Sequence, residues 1–215
     1  EPVTIGAMVG PEAFMEVRYL AHAKQMQALD LIPELAAQFR AAFGRDSGGL
    51  LRAYRAEDAE TIVCALGSVN GTIKDVVDEM RAEGVKIGAV SLCSFRPFPS
   101  AALGRALGHA RRVITIEKSL SVGIGGNLSH NLRMALPDRN TAVFTVIAGL
   151  GGRPITRAGL RRTFRAAIDG LLQPLSFLDL NTGVVDRQLQ REMASRRTGP
   201  AAEAMLRDVR AAGVS

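Results

Sequence analysis

"TIVCALGSVNGTIKDVVDEM" (61–80) decides the fold. Its first six residues are apolar and β-branched, a short run without polar alternation, as expected of a strand buried on both faces. Gly67 and Gly71 then punctuate a loop. Beyond it Ile73, Val76, Val77 and Met80 recur at helical spacing. The unit reads strand, glycine loop, helix, a layout that can seat a phosphate on a helix N-terminus.

The same unit repeats downstream. "KIGAVSLCSF" (86–95), "RVITIE" (112–117) and "AVFTVIAG" (142–149) are further apolar runs of strand length. Between and after them lie three more helical stripes: Leu103, Ala106, Leu107 and Ala110; Leu128, Leu132 and Leu136; Leu160, Phe164, Ile168 and Leu171. Thr156 is placed to cap the last of these helices, and Ser100 the helix after "FRPFP". Helical connections of this length suit parallel crossovers. The expected fold is α/β, a three-layer α/β/α sandwich on a mostly parallel sheet over residues 58–173.

Residues 1–57 read as an N-terminal linker and helical arm. One helix is expected from Pro11 to about Leu29, with Phe14, Val17 and Ala21 on a stripe. A second is expected to start near Pro33, whose missing N–H costs least in a first turn, and to carry Leu35, Ala36, Phe39 and Phe43. "GRDSGG" (44–49) ends it. Residues 174–215 read as a partner-docking tail: "LSFLDL", then a charged helical region from about Val184 that "RTGP" (197–200) interrupts.

The chain has 215 residues, 47% of them hydrophobic and only 5% aromatic, so an Ala, Leu, Val and Ile core is required. The net charge of +6 comes from dispersed or paired arginines without interleaved aromatics, which argues against nucleic acid. No apolar stretch reaches membrane-spanning length, so no membrane partner is expected. Nor does the chain open like a signal peptide; "EPVTIG" reads as the start of a segment of a longer or processed polypeptide. Cys64 and Cys93 each lie in an apolar run, without the spacing of a metal or cluster site. Two isolated thiols fit a cytoplasmic setting.

Motifs for local chemistry are sparse. Where a nucleotide loop needs Lys–Ser, this chain has Thr72–Ile73, and Lys74 comes too late. "GIGGN" (123–127) and "GLGGR" (149–153) both miss the dinucleotide pattern. His22, His109 and His130 fall on expected helices without a nucleophile nearby in sequence. "AEDAE" (56–60) reads as a charged loop before a strand. Glu117 ends a strand beside Lys118, where ligands of α/β sheets gather; it is either a functional carboxylate or an ion-pair partner. "FRPFP" (95–99) is either a rigid connection or a docking surface whose Arg96 fork takes a carboxylate or phosphate.

Taken in order, "PEAFMEVRY" (11–19), "YRAEDAE" (54–60), "GSVNGTIKDVVDEMRAEGVKIG" (67–88), "FRPFP" and "GLGGRPIT" (149–156) resemble a known family. The chain is similar to the C-terminal half of the alpha subunit of pyruvate:ferredoxin oxidoreductase and related 2-oxoacid:acceptor oxidoreductases, from about residue 6 to 173. The resemblance implies a transketolase C-terminal-like domain. It implies an enzyme that turns a 2-oxoacid, pyruvate first, into acyl-coenzyme A and CO2, with electrons leaving to ferredoxin or flavodoxin. Branched-chain or aromatic 2-oxoacids are the alternative substrates. Thiamine diphosphate, magnesium and [4Fe-4S] clusters belong to that enzyme, with coenzyme A as co-substrate. None is expected on this chain, because the family's catalytic glutamate and cofactor ligands lie in other domains. The implied partners are a pyrimidine-binding domain, a thiamine-diphosphate-binding beta subunit, and gamma and iron–sulfur subunits.

No catalytic residue carries over. The residues that do, as interdomain or subunit contacts, are Arg18, Gly67, Ser68, Gly71, Thr72, Arg96, Pro97, Pro99, Gly149, Gly151, Gly152 and Arg153. On this reading "GSVNGT" is a turn and a helix start rather than a phosphate cradle. The family often has an acid where this chain has Pro154, which removes that acid and a backbone N–H from the loop. Two other readings stay open: a stand-alone scaffold with the same fold, and a small-molecule domain using Glu117 and Gly123–Gly126.

Overall fold

The computed structural model describes residues 8–136, 141–195 and 201–212. Two compact units divide the chain after Leu178.

In the first unit a long helix α1 (Phe14–Phe43) precedes β1 (Leu51–Tyr54). Then β2 (Thr61–Leu66), α2 (Val69–Ala82), β3 (Ile87–Leu92), α3 (Ser100–Leu107), β4 (Arg112–Glu117), α4 (Asn127–Ala135), β5 (Ala142–Ile147), α5 (Arg157–Ile168) and β6 (Leu175–Phe177) follow. The six strands form one sheet in the order β1-β3-β2-β4-β5-β6. Every pairing is parallel except β1 against β3, where Leu51 faces Leu92 and Tyr54 faces Ala89.

Alternation along the strands splits the core into two. Val63, Ala65, Ile114 and Ile116 turn to one face, where Ile73, Val77 and Met80 of α2 and Leu160 and Phe164 of α5 cover them. Ile62, Cys64, Val90 and Val113 turn to the other, under Leu103 and Leu107 of α3 and Leu128 and Leu132 of α4. The three-layer sandwich is therefore present, and the expected α2 stripe is fully buried. Cys64 lies inside this core; burial, with Glu117 adding to it, pushes its thiol up to about 12, so it packs as a small hydrophobe.

The sheet takes in Leu51–Tyr54 and Leu175–Phe177, outside the 58–173 span marked by the apolar runs. Both are edge strands, and an edge strand needs no continuous apolar run because one side is unpaired. In the "AEDAE" stretch Ala56 and Ala59 are buried, while Asp58 accepts from both terminal nitrogens of Arg81 at 2.9 and 2.7 Å. On the outer surface Glu83, capping the end of α2, is bound by Arg161 and Arg165 of α5, which hold its carboxyl below its ordinary range. This pairing ties the two helices of one layer together.

Three local expectations are corrected. The arm is one helix rather than two, with Pro33 inside α1. A proline removes only its own bond, here to the fourth residue back, and the turns on either side close independently. Gly44 then ends the helix at φ 65°, its N–H bonding Arg40 O at 2.8 Å. Ser100 is the first residue of α3 and makes no capping bond; Pro99 holds the cap position. His109 lies beyond α3, its Nε2 2.9 Å from Ala56 O. Thr156 does cap α5, accepting from Gly159 N at 3.0 Å.

The second unit, from Asp179, comprises α6 (Thr182–Ser195) and α7 (Ala201–Ala211). Asp208 joins them through Arg187 and Arg191, whose hydrogen bonds lower its pKa. "RTGP" lies outside the described residues. No helix among them is long and apolar enough to cross a membrane.

Candidate functional site

Strand order reverses direction at β2. Its successor β3 lies on one side and β4 on the other. In open α/β sheets such a switch point leaves a crevice at the strand C-termini, where ligands bind. Here a cavity of about 680 Å³ opens there. Its walls come from four loops: Gly67 and Ser68 after β2, Phe95 after β3, Lys118 and Ser119 after β4, and Gly149 and Arg153 after β5.

The sequence-derived residues divide around this cavity. Gly67, Ser68, Thr72, Gly149 and Arg153 line it together. Gly71 lies within the first turn of α2 and outside the lining; Gly151 and Gly152 sit on an exposed 3-10 turn. Gly67 and Gly149 take φ values of 76° and 74°, which explains glycine at both strand exits. Arg96 is exposed and folds back on its own loop, its guanidinium 4.3 Å from the Phe95 ring centroid and donating to Phe95 O at 2.7 Å. Pro97 and Pro99 are buried, and the Phe95 and Phe98 rings meet edge to face at 6.0 Å. Arg18 is on exposed α1, apart from this group. His22 is exposed there too, and His130 points its Nδ1 at Gly126 O, 3.1 Å away.

Glu117 has a role that sequence reasoning missed. It is buried, and its carboxylate accepts from Leu128 N at 2.7 Å and Ser129 N at 3.1 Å, the first turn of α4. It does not pair with Lys118: it supplies the negative charge that a helix N-terminus favours. Gly126 is required beside it, because a Cβ there would overlap Glu117 Oε1. Two glycines ahead of an apolar helical run are the sequence signal for such a close approach. The other end of the loop is fixed by Ser121 and Gly125, which exchange backbone hydrogen bonds at 2.7 and 2.8 Å.

The described residues contain no group of three or more His, Cys, Asp or Glu side chains able to hold a metal ion. Cys64 is buried and Cys93 is a separate free thiol. This donor set does not fit an iron–sulfur cluster, which needs several converging thiolates.

Comparison with known proteins now decides the family. Residues 59–159 match the model of pyruvate:ferredoxin oxidoreductase core domain II. This segment belongs to that family. The pyruvate synthase subunit PorA of Methanosarcina barkeri is 36% identical over 84% of this chain and 46% of its own length. The ketoisovalerate oxidoreductase subunit VorA of Pyrococcus horikoshii is 32% identical over 72% of this chain and 40% of its own. The chain thus spans less than half the length of these relatives. Among solved structures, a 2-oxoglutarate:ferredoxin oxidoreductase from Magnetococcus marinus is similar at 21% identity, covering 61% of this chain and 21% of that one, with a TM-score of 0.45.

Proposed function

We propose that this chain is a non-catalytic, assembly-forming part of a thiamine-diphosphate-dependent 2-oxoacid oxidoreductase in the cytoplasm. The enzyme converts its substrate to acyl-coenzyme A and CO2 and passes electrons to ferredoxin or flavodoxin. Pyruvate is the proposed substrate, after the pyruvate synthase relatives; the ketoisovalerate relative makes a branched-chain 2-oxoacid the second choice. Thiamine diphosphate, magnesium and the clusters would be held by partner domains and subunits. The pyrimidine-binding domain and the beta, gamma and iron–sulfur subunits are those partners.

One structural observation carries the assembly role. The 30-residue helix α1 has no buried residue, yet it bears Phe14, Met15, Val17, Leu20, Leu31 and Leu35 on its surface, each at least 45% exposed. A helix with apolar residues around most of its circumference is ordinarily covered by other protein. The chain spans less than half of its relatives' length, and the part of such a subunit that it does not match is the proposed cover.

Introducing two charges on this arm, Leu31→Glu with Leu35→Glu, is expected to weaken assembly at least about tenfold, since each buried leucine contributes about 1.5–3 kcal/mol. Size-exclusion chromatography with the purified partners would read this, with pyruvate-dependent viologen reduction falling in parallel. Neither residue is buried, so the circular dichroism melt is expected to stay in place. Wild-type assembly by the double variant would remove α1 from the interface.

A further inference from the structure

The switch-point cavity has a composition that turn-forming and packing do not explain. Its floor is apolar: Leu66, Phe95, Ile116, Leu128 and Ile155. Its rim is polar, and part of that rim is unsatisfied. Among the described residues the Lys118 ammonium and the Ser68 and Thr72 hydroxyls have no side-chain hydrogen bond or ion pair. Arg153 also lines the wall.

These groups converge for a topological reason. Ser68 and Thr72 are four residues apart at the start of α2, hence on one face. The parallel register pairs Ala65 with Ile116, so the chain leaves the sheet at Gly67 and at Lys118 from neighbouring strands. Lys118 and the two hydroxyls thereby line one cavity.

Among the described residues the only carboxylate in the lining is Glu117, and its charge is taken up by the amides of Leu128 and Ser129. Lys118 leaves the rim cationic above an apolar floor. A volume of about 680 Å³ falls within the range of small-molecule pockets.

We infer that this cavity binds a small organic anion, its acidic group held by Lys118, Ser68 and Thr72 and its apolar body resting on Phe95 and Ile116. The inference stands apart from the oxidoreductase reading, because it needs neither turnover nor a thiamine cofactor. It extends the expectation that Gly67–Thr72 only turns the chain: the loop lacks the nucleotide motif, but it contributes two hydroxyls to a cationic pocket.

The test is isothermal titration calorimetry on the protein as purified from its source, in whatever assembly it occurs. Three probes share one planar body: benzoate, phenyl phosphate and uncharged benzamide. At least one acidic probe is expected to bind about tenfold or more tighter than benzamide, and whichever acid binds better names the head group. Lys118→Gln is expected to weaken that acidic probe about tenfold while leaving benzamide unchanged, and Ser68→Ala to weaken it less. Lys118 is exposed, so its replacement spares the fold. Equal binding of benzamide and the acids, an unaltered affinity in Lys118→Gln, or no heat from any probe would each overturn the inference.

Discussion

Phe164→Ala is expected to destabilise the α/β unit by about 3–5 kcal/mol, the cost of deleting a fully buried aromatic ring. Phe164 is completely buried in the layer formed by α2 and α5, against strand residues such as Ile114 and Val146. Alanine leaves a cavity between two helices that are also tied by Glu83 to Arg161 and Arg165, so the layer cannot simply close. The melting temperature of a unit this size should fall by roughly 10 °C. Phe164→Leu keeps most of the volume and should cost about a third as much. Calorimetric melts of the two variants check this ordering, and equal losses would show that volume is not what matters there.

Glu117→Ala is the second large effect, and it acts locally. The substitution strips two buried amides, Leu128 N–H and Ser129 N–H, of their acceptor and removes a negative charge from the α4 N-terminus. Hydrogen bonds to a charged group contribute about 1.5–3 kcal/mol each, and water entering from the adjoining cavity offsets part of the loss, so about 2–4 kcal/mol is expected. Glu117→Gln retains one acceptor but turns a donor toward a donor, and should fall between wild type and alanine. Hydrogen exchange separates this from a general loss of packing: the Leu128 and Ser129 amides should speed up far more than those of α2 or α5. A uniform increase across the sheet would contradict the capping role.

What could be read in the sequence follows from where each residue's partners lie. The central strands were legible because "TIVCAL" and "RVITIE" are buried on both faces, so their composition alone marks them. The α2 stripe was legible because its burial is set by local periodicity. Edge strands "LRAY" and "LSF" were not, since half of each faces out and no apolar run marks them. Pro33 misled because its local cost says nothing about whether the helix resumes beyond it. Glu117 was ambiguous because its partners lie 11 and 12 residues ahead, brought back by a glycine loop whose closure is tertiary. Around the cavity, Gly67, Ser68, Thr72, Gly149 and Arg153 were singled out from separate motifs, and the sheet topology brings them to one place. Lys118 reads only as a neighbour of Glu117, because its place in the cavity beside the β2 loop depends on strand order rather than on adjacent sequence.

On the function proposed above, this chain works only as part of a larger 2-oxoacid oxidoreductase. Native mass spectrometry of the assembly purified from its own organism, followed by release and weighing of every chain, tests it most directly. The account predicts this sequence within a heavier chain, or beside a separate pyrimidine-domain chain, in an assembly containing thiamine diphosphate and iron. A lone chain, or an assembly with neither thiamine nor iron, would contradict it and leave a scaffold that shares only the fold.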